Sequence, residues 1–255
     1  MAAGLSALAT GAFTTGALAA EQPGLEHYPS LDWHFEGIFG TYERASLQRG
    51  FQVYNEVCAA CHGLDLLAYR NLEAIGFSPE EVKAIAAGHR VEDGPDDAGD
   101  MFERPATPAD RFRSPFANAK QAAAANGGAA PPDLSLVAKR TEYGPDYTYA
   151  LLTGYEETPP YAWSQENSLL PGQYFNKYRG AISMAPPLTE DLIEYSDGTG
   201  ATVHQMAYDV SNFLMWAAEP HMEERKQTGI KAILFLLVFT VILYAVKRKI
   251  WAKLH

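Results

Sequence analysis

The chain has 255 residues, 47% hydrophobic and 20% charged, a globular balance that excludes intrinsic disorder. A formal charge of −11 excludes a nucleic-acid binder, which needs Lys and Arg against phosphates, and suits a basic protein partner. The only two cysteines, Cys58 and Cys61, stand too close together to staple a secreted disulfide scaffold.

The chain opens on "LSALATGAFTTGALAAEQ". Ala17-Leu18-Ala19 has the small-x-small form read by signal peptidase, so residues 1–20 are expected to be a signal sequence. No Lys or Arg precedes Arg44, so the usual basic start of such a signal is missing. Next, "SLQRGFQVYNEVCAACHGL" places Leu47, Phe51, Tyr54 and Val57 at helical spacing, with Ser46 as the candidate N-cap. "TPADRFRSPFANAKQAAAANGGAAPP" is expected to be loop around one Ala-rich helix. "PPDLSLVAKR" reads as a Pro-started helix, and "DYTYALLTGYEETPPYAW" as another ending near Gly154. "LLPGQYFNKYRGAISMAPPLTEDLIEY" carries too many Gly and Pro for regular structure. "HQMAYDVSNFLMWAAEP" is an amphipathic helix on Met206, Val210, Phe213, Leu214 and Ala217. No strand series is legible. The expected class is mainly α, with long loops.

Gly229 to Val246 is apolar except for Lys231 and Thr240. Eighteen residues at ~1.5 Å each span roughly 27 Å, about a bilayer core. All 31 Asp and Glu precede Arg225, with 13 of the 20 Lys and Arg; the other seven basic residues are Arg225 and six beyond it. Lys247, Arg248, Lys249 and Lys253 belong on the cytoplasmic side, with Trp251 at the interface. The expected layout is an exported domain over residues 21–224, a single transmembrane anchor over 225–246 and a cytoplasmic tail over 247–255.

Cys58, Cys61 and His62 form C-x-x-C-H. A redox dithiol would follow a strand in a βαβ unit, and a structural zinc needs about four ligands. Neither context is present, which leaves haem attachment. On a helix the two thiols lie on one side for the haem vinyl groups, and His62 points its ring to the iron from the same side. On the opposite side of the iron, Met101, Met206, Met215, Met222, His89 and His204 are all weaker candidates than Met184. Met184 sits in "GAISMAPPL", where small residues allow close approach and Pro186-Pro187 stiffen the loop. Met/His ligation would close the iron and make the site an electron carrier.

Taken together, "RGFQVYNEVCAACH", "AYRNL", "MFERP", "AANGGAAPPDLS", "YALLTGY", "YFNKYRGAISMAPPL" and "DVSNFLMWAAEP" resemble the cytochrome c1 family. Its members are the haem subunits of the cytochrome bc1, or quinol–cytochrome c oxidoreductase, complex. The segments follow the family's order from about Trp33 to the anchor. The resemblance implies a c-type cytochrome domain plus one C-terminal transmembrane helix, with one haem c bound through Cys58 and Cys61 and ligated by His62 and Met184. It further implies a propionate environment of Asn118, Tyr147 and a basic residue soon after Pro-Pro-Asp-Leu-Ser. Members carry basic-x-Arg there. This chain has Lys139-Arg140-Thr141, so its arginine stands one position early, about 100° round a helix. Arg140 is the expected partner, with Lys139 as the substitute.

The implied function is to pass electrons from the Rieske iron–sulfur protein to a cytochrome c, beside cytochrome b in a dimeric complex. The haem domain would be periplasmic, on a bacterial inner membrane. The competing reading is a free-standing membrane-anchored carrier, which would ordinarily place a smaller domain on a flexible linker. Candidate acidic docks are "VEDGPDDAGD" (91–100), Glu156 with Glu157, and the group Glu190, Asp191 and Glu194.

Overall fold

The computed structural model describes residues 25–252. The expected signal sequence and residues 253–255 of the expected tail lie outside the described residues. Helices α1 (Arg44–Glu56), α2 (Pro79–Ala87), α3 (Ala119–Ala125), α4 (Val137–Arg140), α5 (Pro145–Thr153), α6 (Tyr161–Ser164), α7 (Val203–Ala218) and α8 (Met222–Trp251) carry most of the regular structure. Between them run short strands that sequence periodicity does not reveal: β1 (Leu64–Ala68), β2 (Arg90–Asp93), β3 (Phe102–Pro105), β4 (Arg111–Phe112), β5 (Tyr155–Glu156), β6 (Tyr174–Asn176) and β7 (Gly180–Ile182). They form antiparallel pairs β1–β4 and β2–β3 and the three-stranded sheet β5–β6–β7. Strands of two to five residues are too short to show an alternation, and their pairing is tertiary.

Helix α1 begins after Glu43, earlier than its sequence cap implies. Ser46 is not the cap: it is buried in the first turn and donates to Asp209 Oδ1 at 2.7 Å. Asp209 belongs to α7 and is fully buried. Arg49 Nε donates to its Oδ2 at 2.9 Å, and Gln205 Nε2 donates to the same oxygen at 2.9 Å. A buried carboxylate is tolerated only when paired in this way. Around the ion pair, α1 lays Leu47, Phe51 and Tyr54 on Phe213 and Trp216 of α7. Phe51 meets Phe213 edge-on at 5.7 Å, and Tyr54 meets it at 5.8 Å, geometries aromatic rings favour. Gly50 makes the crossing possible. A Cβ there would lie 2.0 Å from the Asp209 carbonyl oxygen.

Helix α5 packs on α7, and α4 packs on both. As expected, α5 stops at Gly154. The Pro-started helix expected at "PPDLSLVAKR" shrinks to one turn, α4; residues 131–134 have no regular secondary structure and serve another purpose. Helix α8 has 30 residues, and its apolar side chains from Ile233 to Val246 are exposed all round. An apolar, uncovered helix of this length can cross a membrane. Thr240 donates its hydroxyl to Leu236 O at 2.7 Å, so its polar group is satisfied within the helix. At the far end, Lys247 lies over the Trp251 ring at 5.4 Å.

Candidate functional site

Helix α1 ends at Glu56, before the cysteines. Cys58–Ala60 is a 3-10 turn, closed by Cys61 N–H to Cys58 O at 3.1 Å and His62 N–H to Cys58 O at 2.9 Å. The continuous helix expected from the sequence is therefore replaced by a tighter turn. The consequence for the thiols is the same, because side chains three apart eclipse in a 3-10 helix. Both cysteines are free and half-buried. Burial, with Cys61 adding to it, pushes the Cys58 thiol up to about 12. A redox dithiol works through a lowered thiol pKa, so this environment opposes that chemistry. A thioether has no proton to lose and sits there without penalty.

His62 Nδ1 lies 2.7 Å from the carbonyl oxygen of Pro132. A carbonyl only accepts, so Nδ1 carries the proton and Nε2 keeps its lone pair for a metal. Burial pushes the imidazole below its ordinary pKa, which favours the neutral ring that a metal requires. The orienting carbonyl comes from the irregular residues 131–134, where the sequence predicts a helix start. They are fixed along the attachment turn by Leu134 N–H to Gly63 O at 2.9 Å, Asp65 N–H to Asp133 Oδ2 at 2.8 Å and Leu66 N–H to Ser135 Oγ at 3.1 Å.

Met184 lies in the irregular segment after β7, and its carbonyl accepts the Tyr155 hydroxyl at 3.0 Å. The sheet is tied to α5 by Asn176 Nδ2 donating to Leu151 O at 2.9 Å and by Lys177 N–H to Gly154 O at 2.8 Å. The Met184 loop thus hangs from α5, α5 rests on α7, and α7 crosses α1, which ends at the cysteines. A run of packed helices thus connects the Met184 loop to the attachment turn. Met206 is fully buried in α7 and Met222 is buried at the start of α8; both are core side chains.

The remaining expected residues divide. Tyr147 is buried on α5, and the guanidinium over its ring, at 5.6 Å, is that of Arg179. Arg140 is exposed at the end of α4, and Lys139 pairs with Glu219 at 2.9 Å. Thr141, which follows, has a buried hydroxyl with no hydrogen-bond partner among the described residues. Asn118 caps α3, its Oδ1 accepting Gln121 N–H at 3.0 Å, and so has a structural task of its own. Arg179 escaped the sequence reading because it lies 32 positions from Tyr147. Its place in "KYRGAIS", directly before the strand leading to Met184, was the available signal.

These features fit a covalently held haem: two free cysteines three apart on a 3-10 turn and a histidine with Nε2 available. Among the described residues no three His, Cys, Asp or Glu side chains gather into a protein-only metal site.

Comparison with known proteins agrees. A family model described as "Cytochrome C1 family" matches residues 33–254. The chain is 53% identical to cytochrome c1 of Rhodospirillum rubrum over 92% of this chain and 91% of that protein. It is 46% identical to the cytochrome b/c1 protein of Bradyrhizobium diazoefficiens, covering 98% of this chain but 40% of that longer protein. It is also 46% identical to the mitochondrial cytochrome b-c1 complex catalytic subunit of Candida albicans, over 93% of this chain and 82% of that one. The chain therefore belongs to the cytochrome c1 family, the haem c-carrying electron-transfer proteins of cytochrome bc1 complexes.

Proposed function

We propose that this chain is the haem subunit of a quinol–cytochrome c oxidoreductase, taking electrons from a Rieske iron–sulfur protein and passing them to a cytochrome c. Cytochrome b is its membrane partner, and the complex is dimeric. When bound, the haem supplies a one-electron carrier. The protein's own contribution is fixed geometry. Cys58 and Cys61 anchor the group, and the Pro132 carbonyl holds His62 in the tautomer that presents Nε2. The sheet β5–β6–β7 presents Met184 as the second ligand. With His62 and Met184 both holding the iron, no position would be left open for a substrate, and the chain would relay electrons without bond chemistry. Residues 21–224 form the exported domain, residues 225–246 the anchor, and the basic residues 247–255 the cytoplasmic tail.

The observation that carries this reading is the attachment turn. Its two cysteines stand three apart on a 3-10 turn, and its histidine is oriented by a backbone carbonyl. The relay reading also explains why α8 follows α7 after only three residues, Glu219 to His221. So short a connection suits a domain held in a fixed complex better than a carrier swinging on a tether. Detergent extraction followed by affinity purification of the holoprotein tests the reading. A b-type cytochrome and an iron–sulfur protein should co-purify, with quinol-dependent cytochrome c reduction. A haem protein that purifies alone in active form would make it the free-standing carrier.

A further inference from the structure

The segment between Trp33 and Tyr42 plays no part in the site, yet it is tightly built. Glu36 N–H bonds Trp33 O at 2.9 Å and Thr41 N–H bonds His34 O at 3.1 Å, closing a turn. Gly40 lies so close that a Cβ there would sit 1.9 Å from the Glu36 carbonyl oxygen. At the tip stand Ile38, 68% exposed, and Phe39, 84% exposed. A rigid turn that holds two consecutive large apolar side chains in the open is built to meet something.

Its position identifies the occupant. Arg44 meets Glu223 at 2.6 Å, and Tyr42 N–H donates to the same carboxylate at 2.7 Å. Nearer the tip, Gly40 O accepts Lys226 Nζ at 3.0 Å, and Phe35 O accepts the same ammonium. Moving from Arg44 towards the tip, the chain thus descends α8 from residue 223 to residue 226, about 4.5 Å. The apolar run of α8 opens at Gly229, one turn further in the same direction. Two side chains offer far less than the roughly 800 Å² per partner of a stable protein interface. They match the scale of an aromatic interfacial anchor.

We propose that Ile38 and Phe39 form a foot that enters the interfacial layer of the lipid bilayer beside α8, on the haem-domain side. The foot rests on the reading of α8 as a membrane span. Lys226, held by two carbonyls of the turn, fixes the height and tilt of the haem domain over the lipid.

The test is nitroxide accessibility on the full-length holoprotein in phosphatidylcholine vesicles, alone and within its purified complex. Labels go on Phe39→Cys and, as a second site, Ile38→Cys, with Leu237→Cys marking the span and Ala98→Cys marking water. An unchanged haem spectrum certifies each variant. The expected result at residues 38 and 39 is collision with oxygen severalfold above collision with a water-soluble nickel chelate, the reverse of Ala98, in both preparations. Nickel-dominated collision at 38 and 39 with an oxygen-rich Leu237 overturns the foot and leaves the span intact. A nickel-accessible Leu237 would overturn the span itself. Shielding from both reagents in the complex, with lipid exposure in the isolated chain, overturns the foot in favour of a partner subunit.

Discussion

At the scale of single residues the site is a set of atoms held for one purpose each. Met184 shows this best. Its backbone carbonyl is fixed by Tyr155, so the side chain can be changed without releasing the loop. Met184→Leu removes the thioether, and Leu cannot ligate. The reduction potential should fall by on the order of 0.1 V or more, since axial ligands tune haem potentials over roughly 0.8 V. The reduced protein should then bind CO. An unchanged potential together with no CO spectrum would remove Met184 from the iron. The choice between Arg179 and Arg140 is also decidable. A cation near the propionates favours the reduced, less positive haem. Arg179→Gln should therefore lower the potential by a few tens of millivolts, where ~59 mV is a tenfold change for one electron. Arg140→Gln should shift it less, because Arg179, though exposed like Arg140, is held over the Tyr147 ring directly before the strand that leads to Met184. A larger shift from Arg140 than from Arg179 would reverse the assignment.

At the scale of elements the decisive contact is the crossing of α1 and α7. On an exposed helix face, Gly→Ala stabilises by about 1 kcal/mol through propensity. At Gly50 the sign is reversed, because the added carbon meets the Asp209 carbonyl at 2.0 Å and Phe213 Cβ at 2.7 Å. Overpacking of this kind costs about 1–3 kcal/mol and sometimes more. It would also displace the buried Arg49–Asp209 pair. Gly50→Ala should lower the thermal midpoint of the holoprotein, while Gly200→Ala, in a loop with open space around it and no positive φ, should cost less. Equal midpoints for the two variants would show that the crossing has slack. The same contrast explains what the sequence could reveal. Helices α1, α5, α7 and α8 were legible because each carries its own periodicity and end signals. The attachment motif was legible because its ligands are local. The strands were not, since β5, β6 and β7 are two or three residues each and exist only through pairing. The Pro132 carbonyl was also invisible: a backbone atom leaves no residue signature, and the Pro131-Pro132 pair that carries it reads equally well as a helix start. Arg179 over Tyr147 is a contact between distant segments, which no spacing rule encodes.

At the scale of the whole molecule, charge is segregated along the chain, and the fold arranges the acidic part. In the β2–β3 hairpin Asp93 is occupied by Arg104, which also binds Asp110 at 2.7 Å, and Asp96 accepts the Ala98 and Asp100 amides. Those carboxylates hold their own loop. Glu156 and Glu157 differ. They are exposed at the edge of the sheet that carries Met184, and no ion pair engages them among the described residues. Asp191 and Glu194 are exposed just beyond the same loop. If a basic cytochrome c is the acceptor, this second set should steer it. The Debye length shortens from about 30 Å at 0.01 M salt to about 8 Å at 0.15 M, and steered on-rates fall with it by tenfold or more. Turnover of the intact complex at sub-saturating cytochrome c should therefore drop steeply across that range. The double variant Glu156→Gln, Glu157→Gln should flatten the dependence more than Asp96→Asn, Asp97→Asn in the hairpin, with quinol-to-haem reduction unchanged in both. Stopped-flow reduction of cytochrome c against ionic strength reads these slopes directly. A flat salt profile in the unaltered complex would mean that docking rests on apolar contacts. A larger effect from the hairpin pair would move the dock to the β2–β3 side of the molecule.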